Sequence, residues 1–123
     1  FGYSAYGSTK YAVRGLCDVL RTELTPHGIH VGCVFPTDVD TPQFEAERPH
    51  LPPEALAISG TVKPISADKV AVAILKGVDK RRANIFTDAG TTVLDRLVRV
   101  APGLTQRWLD RKVATAAHAQ DRP

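Results

Sequence analysis

Apolar residues recur every three or four positions between residues 6 and 24, and charged residues stand between them. This period predicts an amphipathic helix. The helix is expected to end at Thr25-Pro26-His27-Gly28, because proline disfavours a helical residue before it and glycine accepts a left-handed conformation. Residues 29–35 follow directly and are apolar at nearly every position after His30, which predicts a short strand buried on both faces.

The rest of the chain alternates loops with further helices and one more strand. Six prolines between residues 36 and 64 predict a long loop with short helical turns, a type of segment that often covers a binding site. Ser66 is the expected cap of a helix that runs to about residue 80, and residues 83–87 form the next predicted strand. Helices over residues 92–100 and 104–117 complete the pattern, so the predicted fold class is α/β.

The composition is that of an ordinary globular domain of 123 residues, with 43% hydrophobic and 24% charged residues. No apolar run approaches the roughly 20 residues of a membrane span, and the amino end lacks a basic-then-apolar signal pattern. A cytoplasmic location is therefore expected. The chain has no methionine and begins at Phe1 within an apolar stretch, so we expect it to be the C-terminal piece of a longer protein.

The net charge of +3 originates in the C-terminal part of the chain. Residues 1–90 hold ten Lys or Arg and ten Asp or Glu, whereas residues 91–123 hold six and three. The predicted helices in residues 92–117 are therefore basic and amphipathic, and three roles stay open for them: packing on their own domain, lying on an anionic membrane, or covering a protein partner. Nucleic acid is not an expected partner, because the basic residues alternate with acidic ones and no base-stacking module is present.

The cysteines and histidines show no pattern typical of a metal site. Cys17 and Cys33 have neither zinc-ligand spacing nor the density of a disulfide framework, so we expect two reduced, buried side chains. The histidines are scattered without ligand spacing, at His27, His30, His50 and His118. No metal site is predicted.

Tyr6 and Lys10 lie four residues apart at the start of the first helix, so their side chains share one face. A phenol exchanges protons poorly at neutral pH, and a nearby ammonium stabilises its anion. The pair is a candidate general acid and base. By itself this spacing also fits an exposed tyrosine beside a solvated lysine, since it arises by chance in many chains.

A second candidate segment begins at the carboxyl end of the first predicted strand. In an open α/β sheet, ligands bind in the crevice outside the carboxyl ends of the strands. Here the loop of residues 36–42, led by Pro36, would present the main chain of Val39 and the hydroxyl of Thr41 to a ligand amide or phosphate. The same composition also suits a proline turn that Asp and Thr side chains cap.

Together these segments resemble the second half of a short-chain dehydrogenase/reductase. Tyr6-Gly7-Ser8-Thr9-Lys10 matches the Tyr-x-x-x-Lys catalytic motif of that family, and a Gly-Ile-x-Val strand follows it. Residues 36–41 match the family's loop of Pro-Gly-x-Val-x-Thr type, except that Thr37 replaces the glycine. The resemblance covers residues 1 to about 87. It implies the C-terminal half of a Rossmann-type doubly wound parallel sheet, with extra C-terminal helices.

The resemblance also implies roles for individual residues. Tyr6 would pass a proton to or from a carbonyl or secondary alcohol, while NAD(P), with NADPH favoured, exchanges the hydride. Lys10 would stabilise the phenolate and hold the ribose hydroxyls of the cofactor. The segment of about residues 42–64 would fold over the substrate, and a homodimer or homotetramer is the implied assembly. The cofactor-binding residues implied by the loop are Pro36, Thr37, Val39 and Thr41.

The family's glycine-rich phosphate loop and catalytic serine would precede Phe1. We therefore interpret residues 1–90 as the C-terminal part of an NAD(P)-binding domain and residues 91–123 as a helical extension, and we expect the chain alone to be inactive. Residues 35–45 are similar to the corresponding loop of 3-ketodihydrosphingosine reductases, which suggests a lipid-like ketone as substrate. The alternative is a non-catalytic module whose basic C-terminal helices bind a membrane or a protein.

Overall fold

The computed structural model describes residues 1–59 and 63–120, without the side chains of residues 119 and 120. The helices in these ranges are α1 (Ser4–Leu24), α2 (Pro42–Glu47), α3 (Pro53–Ser59), α4 (Ala67–Asp79), α5 (Ala89–Val100) and α6 (Pro102–Gln120). The strands are β1 (Cys33–Phe35), β2 (Val39–Asp40), β3 (Ile65–Ser66) and β4 (Asn84–Phe86). Short 3-10 turns cover Thr25–His27 and Arg48–His50.

The strands form two parallel pairs. β1 pairs with β4, with Cys33 opposite Asn84 and Phe35 opposite Phe86, and β2 pairs with β3. Parallel strands need a crossover connection, which here contains α2, α3 and α4 between β1 and β4. The predicted α/β class is confirmed, and short parallel strands among helices are consistent with part of a Rossmann-type sheet.

The first strand is shorter and less buried than the sequence predicted. Its ladder covers Cys33–Phe35, and Ile29 lies outside it with an exposed side chain. Within the described residues β1 has one strand neighbour, β4, and Cys33 alone of its three residues is buried. The prediction of a strand over residues 29–35 buried on both faces is therefore wrong for the described residues, because burial of a strand's faces depends on the helices that pack on the sheet, which apolar composition does not determine.

Arg21 fixes the C-terminal end of α1 to the sheet. Its Nε donates to the carbonyl of Val31 at 3.1 Å, and one terminal nitrogen donates to the carbonyl of Ala83 at 3.0 Å. Those two residues precede β1 and β4, so one guanidinium joins the helix to both strands. The chain then turns at Gly28, whose φ of 72° lies in the left-handed region as the sequence predicted.

Close packing of α4 on β4 depends on a glycine. A Cβ on Gly77 would lie 2.6 Å from Cγ1 and Cδ1 of Ile85, the most buried hydrophobic residue described, at 3% exposure. The Ser66 hydroxyl accepts a hydrogen bond from the Lys69 amide at 3.4 Å, which confirms the predicted cap of α4.

α5 begins at Ala89, three residues before its predicted start, because Asp88 caps it. One Asp88 carboxylate oxygen accepts from the Thr91 amide at 2.8 Å, and the other accepts from the Thr91 hydroxyl at 2.5 Å. Burial tends to raise the pKa of Asp88, but hydrogen bonds from Thr91, Gly90 and Thr87 outweigh it and hold that pKa below its ordinary value. The division of the chain at residue 90 stays a prediction.

The C-terminal helices pack on the domain only in part. α6 packs against α3. On α5 the polar Asp95 points inward, with its side chain 15% exposed, and the apolar residues point outward at 40% to 54% exposure, namely Val93, Leu94, Leu97 and Val98. In the part of the chain that the structure describes, no helix is long and apolar enough to span a membrane.

Both cysteines are free, but they differ in burial. Cys33 is buried, as predicted, whereas Cys17 is half-buried, so the expectation of burial is wrong for that residue. Burial raises the pKa of the Cys33 thiol, and a hydrogen bond with the Cys17 side chain adds to the effect.

We expect Gly77→Ala to lower the free energy of unfolding by about 1–3 kcal/mol, because the new methyl group overlaps Ile85. Gly15→Ala is the matched control: Gly15 also lies within a helix, but a Cβ there has no neighbour within 4 Å, so the free energy should rise by about 0.5–1 kcal/mol. Urea denaturation measures both. Equal effects at the two positions would contradict the packing of α4 on β4.

Asp88→Ala should lower the free energy of unfolding by about 1 kcal/mol at neutral pH. Because the pKa of Asp88 is lower in the folded state, its contribution is complete above the ordinary value of 3.8 and is lost as pH falls through the folded value. The difference between wild type and variant should therefore shrink below that pH. Ser66→Ala removes an uncharged cap and should cost a similar amount at every pH. A pH-independent Asp88→Ala effect in denaturation curves would refute the charged cap.

Candidate active site

Tyr6 and Lys10 occupy successive turns of α1, and the structure brings their side chains together. The Lys10 ammonium nitrogen lies 5.1 Å from the centroid of the Tyr6 ring, within the range of a cation–π contact. Tyr6 is 58% exposed and Lys10 is also exposed. The phenol is therefore accessible to a reactant, with a positive charge beside its ring. The catalytic role of the pair stays a prediction.

Arg14 connects the helix of this pair to the end of the sheet. It lies one turn beyond Lys10, and its guanidinium carbon is 5.3 Å from the centroid of the Phe35 ring. The Phe35 ring stacks on Phe86, with centroids 5.2 Å apart, which joins the carboxyl ends of β1 and β4. Because Arg14 lies over the last residue of β1, the turns that bear Lys10 and Tyr6 extend past that end of the strand.

The Arg14 guanidinium also pairs with α5. One terminal nitrogen lies 3.4 Å from a carboxylate oxygen of Asp95, whose other oxygen accepts from Nε of Arg99 at 2.8 Å. Both partners of the first ion pair are partly buried, so solvent screens it less than an exposed pair. α1 is thereby linked to both the sheet and α5.

The loop after β1 is held in place by its backbone. The Thr37 amide donates to the hydroxyl of Thr87 at 3.2 Å, which ties this loop to the residue after β4. Val39 lies in β2, and the Thr41 hydroxyl accepts from the Phe44 amide at 3.2 Å as the cap of α2. Pro36 is exposed at the start of the loop. The predicted loop thus contains a strand that its proline content did not reveal, and Thr41 acts as a cap, in line with the alternative of a proline turn capped by side chains.

Two groups of this loop stay available to a ligand. The Asp38 carbonyl accepts from the Ile65 amide at 3.0 Å, so it points toward β3. The N–H of Val39 belongs to the same trans peptide unit and therefore points away from β3. The Thr41 hydroxyl, which accepts from Phe44, keeps its own hydrogen for donation. By contrast, the Thr37 amide is already bonded within the protein.

Sequence reasoning missed three residues at this edge of the sheet. They are Arg14, Thr87 and Asp38, and burial raises the pKa of the Asp38 carboxyl above its ordinary value. Arg14 was detectable, because it lies eight residues after Tyr6 and so continues the Tyr6–Lys10 face. The hydrogen bond of Thr87 joins residues fifty positions apart and has no local sequence signal.

Arg14 links the two candidate segments, because it lies on α1 and contacts Phe35, the residue before the loop. Among the described residues no hydrogen bond joins the side chain of Tyr6 or Lys10 to the loop of residues 36–41. The same part of the structure holds no cluster of three or more His, Cys, Asp or Glu side chains suited to a metal ion.

A family model and individual relatives both indicate the same family. Residues 1–52 match the family model described as short chain dehydrogenase. The chain is 40% identical over 104 residues to a 3-ketodihydrosphingosine reductase of Dictyostelium discoideum, an alignment that covers 85% of this chain and 30% of that relative. No solved structure matches the chain.

Two animal relatives show similar sequence identities to the chain. The chain is 41% identical over 91 residues to a 3-ketodihydrosphingosine reductase of Bos taurus, covering 74% of this chain and 27% of the relative. It is 40% identical over 76 residues to a 3-dehydrosphinganine reductase of Danio rerio, covering 62% and 23%. The alignments therefore span less than a third of the length of these relatives. With the Tyr-x-x-x-Lys helix beside a parallel strand pair, these similarities place the chain in the short-chain dehydrogenase/reductase family, where it is similar to the 3-ketodihydrosphingosine reductases.

Proposed function

We propose that the protein to which this chain belongs is an NAD(P)-dependent oxidoreductase that reduces the ketone of a long-chain, sphingoid-like substrate. The observation that carries the proposal is the exposed Tyr6 phenol with the Lys10 ammonium beside its ring, on the helix whose Arg14 contacts the carboxyl end of β1. The names of the relatives, which are reductases of 3-ketodihydrosphingosine or 3-dehydrosphinganine, support the choice of a ketone.

In this proposal Tyr6 acts as the general acid. Its phenolic hydrogen goes to the carbonyl oxygen of the substrate as that oxygen gains negative charge. A bound nicotinamide supplies the hydride for the carbonyl carbon. The Lys10 ammonium stabilises the phenolate that remains on Tyr6, and the exposed oxygen regains a proton from solvent. Oxidation of the alcohol uses the same groups in reverse.

The residues at the edge of the sheet suit a nicotinamide nucleotide. The N–H of Val39 and the hydroxyl of Thr41 are available as donors to an amide oxygen or a phosphate. The Lys10 ammonium, with three donor hydrogens, would hold the ribose hydroxyls of the cofactor. Pro36 and Thr37 shape the wall of the site. NADPH is favoured over NADH, in keeping with relatives that are named reductases.

The segment after Thr41 is proposed to cover the substrate. It consists of α2, a 3-10 turn and α3, which are short helices between prolines. Of these helices α2 has no buried residue, and such an element opens at low cost in free energy, as a cover over a binding site requires. Assembly into a homodimer or homotetramer and a location in the cytoplasm stay predictions.

Tyr6→Phe in the full-length protein should reduce ketone turnover by a factor on the order of 10²–10⁴, because the ring keeps its packing and loses its transferable proton. The measurement is the rate at which NADPH absorbance decreases in the presence of a long-chain 3-keto substrate. Tyr11→Phe is the matched control, since Tyr11 is an exposed tyrosine on the same helix outside the proposed site.

Normal turnover by Tyr6→Phe, with an unchanged circular dichroism spectrum, would remove Tyr6 from the mechanism. An equal loss in Tyr6→Phe and Tyr11→Phe would point to a general effect on α1 and would contradict a specific role for Tyr6.

Peripheral membrane contact through residues 92–117 is a second proposal, made for the same protein. The outward side of α5 carries the exposed residues Val93, Leu94 and Leu97, and Trp108 on α6 is also exposed. Basic side chains accompany them, and the Lys112 ammonium lies 5.5 Å from the Trp108 ring centroid. Apolar side chains bordered by cations are typical of a surface that binds anionic lipid.

We expect the protein to co-sediment with vesicles that contain phosphatidylserine, and Trp108→Ala to weaken this binding about tenfold through lost apolar burial. High salt should weaken it further, because basic residues provide part of the attraction. Vesicles of phosphatidylcholine alone are the control. Absence of binding at low salt would dismiss membrane contact and leave the catalytic proposal intact.

A further inference from the structure

An apolar groove lies between α3 and α6. It has a volume of about 430 Å³, and its floor consists of hydrophobic side chains from both helices and from the amino end of the chain, namely Phe1, Ile58, Leu109, Val113 and Ala114. Two polar residues, Gln106 and Asp110, form part of its lining. The Gln106 amide donates to the Asp110 carboxylate at 2.9 Å, so the two polar residues of the lining bond to each other.

The groove is connected to the candidate catalytic residue by the first residues of the chain. The Tyr3 and Tyr6 rings are in contact, with centroids 5.7 Å apart. A Cβ on Gly2 would lie 3.3 Å from Cγ of Pro52, which directly precedes α3, so the segment before α1 runs against the start of that helix. Phe1, five residues before Tyr6, then lines the groove, within roughly 18 Å of Tyr6 along the chain.

From this arrangement we infer that the groove between α3 and α6 binds the alkyl chain of a long-chain ketone whose carbonyl lies at Tyr6. This inference rests on the reductase function proposed above. An extended alkyl chain matches the groove in chemistry, because the chain needs apolar contact and offers no hydrogen bonds. The position of the groove also suits such a chain. Tyr6 contacts Tyr3, and the backbone continues from there to Phe1, which lines the groove.

Two variants test the groove without removing catalytic groups. Ala114→Phe fills the groove with a ring at an exposed position of α6, and Leu109→Asn makes its floor polar. Thr115→Phe is the control, since it adds a similar ring one residue further along α6, outside the groove. The measurement is kcat/KM of the full-length protein for 2-amino-3-ketones with long and short alkyl chains.

Wild type should prefer the long chain, and Ala114→Phe and Leu109→Asn should each lower the ratio of long-chain to short-chain kcat/KM by about tenfold or more. Turnover of the short-chain ketone should persist, as should the preference of Thr115→Phe. A ratio that is unchanged in Ala114→Phe and Leu109→Asn would overturn the groove as the alkyl-chain site while leaving ketone reduction in place.

Calorimetric binding of a long-chain 2-amino-3-ketone distinguishes failure of the groove from failure of the proposed function. If wild type binds this compound and Ala114→Phe does not, but neither reduces it, the groove stands and the reductase function fails. If wild type binds long and short chains equally, the groove inference is overturned. An Ala114→Phe variant that loses self-association instead, by analytical ultracentrifugation, would assign the groove to a second copy of the chain and also overturn the inference.

Discussion

The parallel ladder between β1 and β4 is the constraint on which the other parts of this chain depend. Ile85 at the centre of β4 is the most buried hydrophobic residue described, and it is covered by α4 only because residue 77 lacks a side chain. The carboxyl ends of the two strands then lie side by side. After β1 the chain enters the loop at Pro36, and after β4 it reaches Asp88, the cap of α5.

The Arg14 guanidinium connects the candidate site to this ladder. Arg14 lies over the Phe35 ring at the end of β1 and pairs with Asp95 of α5, so the face of α1 that carries Lys10 and Tyr6 is fixed relative to the loop. Polar contacts therefore orient the inward side of α5, and its apolar side chains stay at the surface.

The sequence predicted what depends on local pattern. The 3.6-residue period located α1 and α4, the Ser66 cap and Gly28 turn fixed two boundaries, and the Tyr6–Lys10 spacing placed both side chains on one face. The sequence-based prediction failed for elements whose bounds depend on contacts with other residues in the fold. The start of α5 depends on bonds to Asp88, and β2 exists because Val39 meets Ile65 twenty-six residues later. Apolar content overestimated the length and burial of β1, since burial of its faces depends on which helices cover the sheet.

The anchoring of α1 at two points has a consequence for turnover. Arg21 bonds its C-terminal end to the carbonyls that precede both strands, and Arg14 joins its middle to the opposite ends. The turns that carry Tyr6 and Lys10 continue a helix that is held at its middle and at its C-terminal end. In the proposed reductase, entry of a reactant and release of the alcohol product would therefore depend on movement of α2, which has no buried residue and carries none of the proton chemistry, rather than on movement of α1.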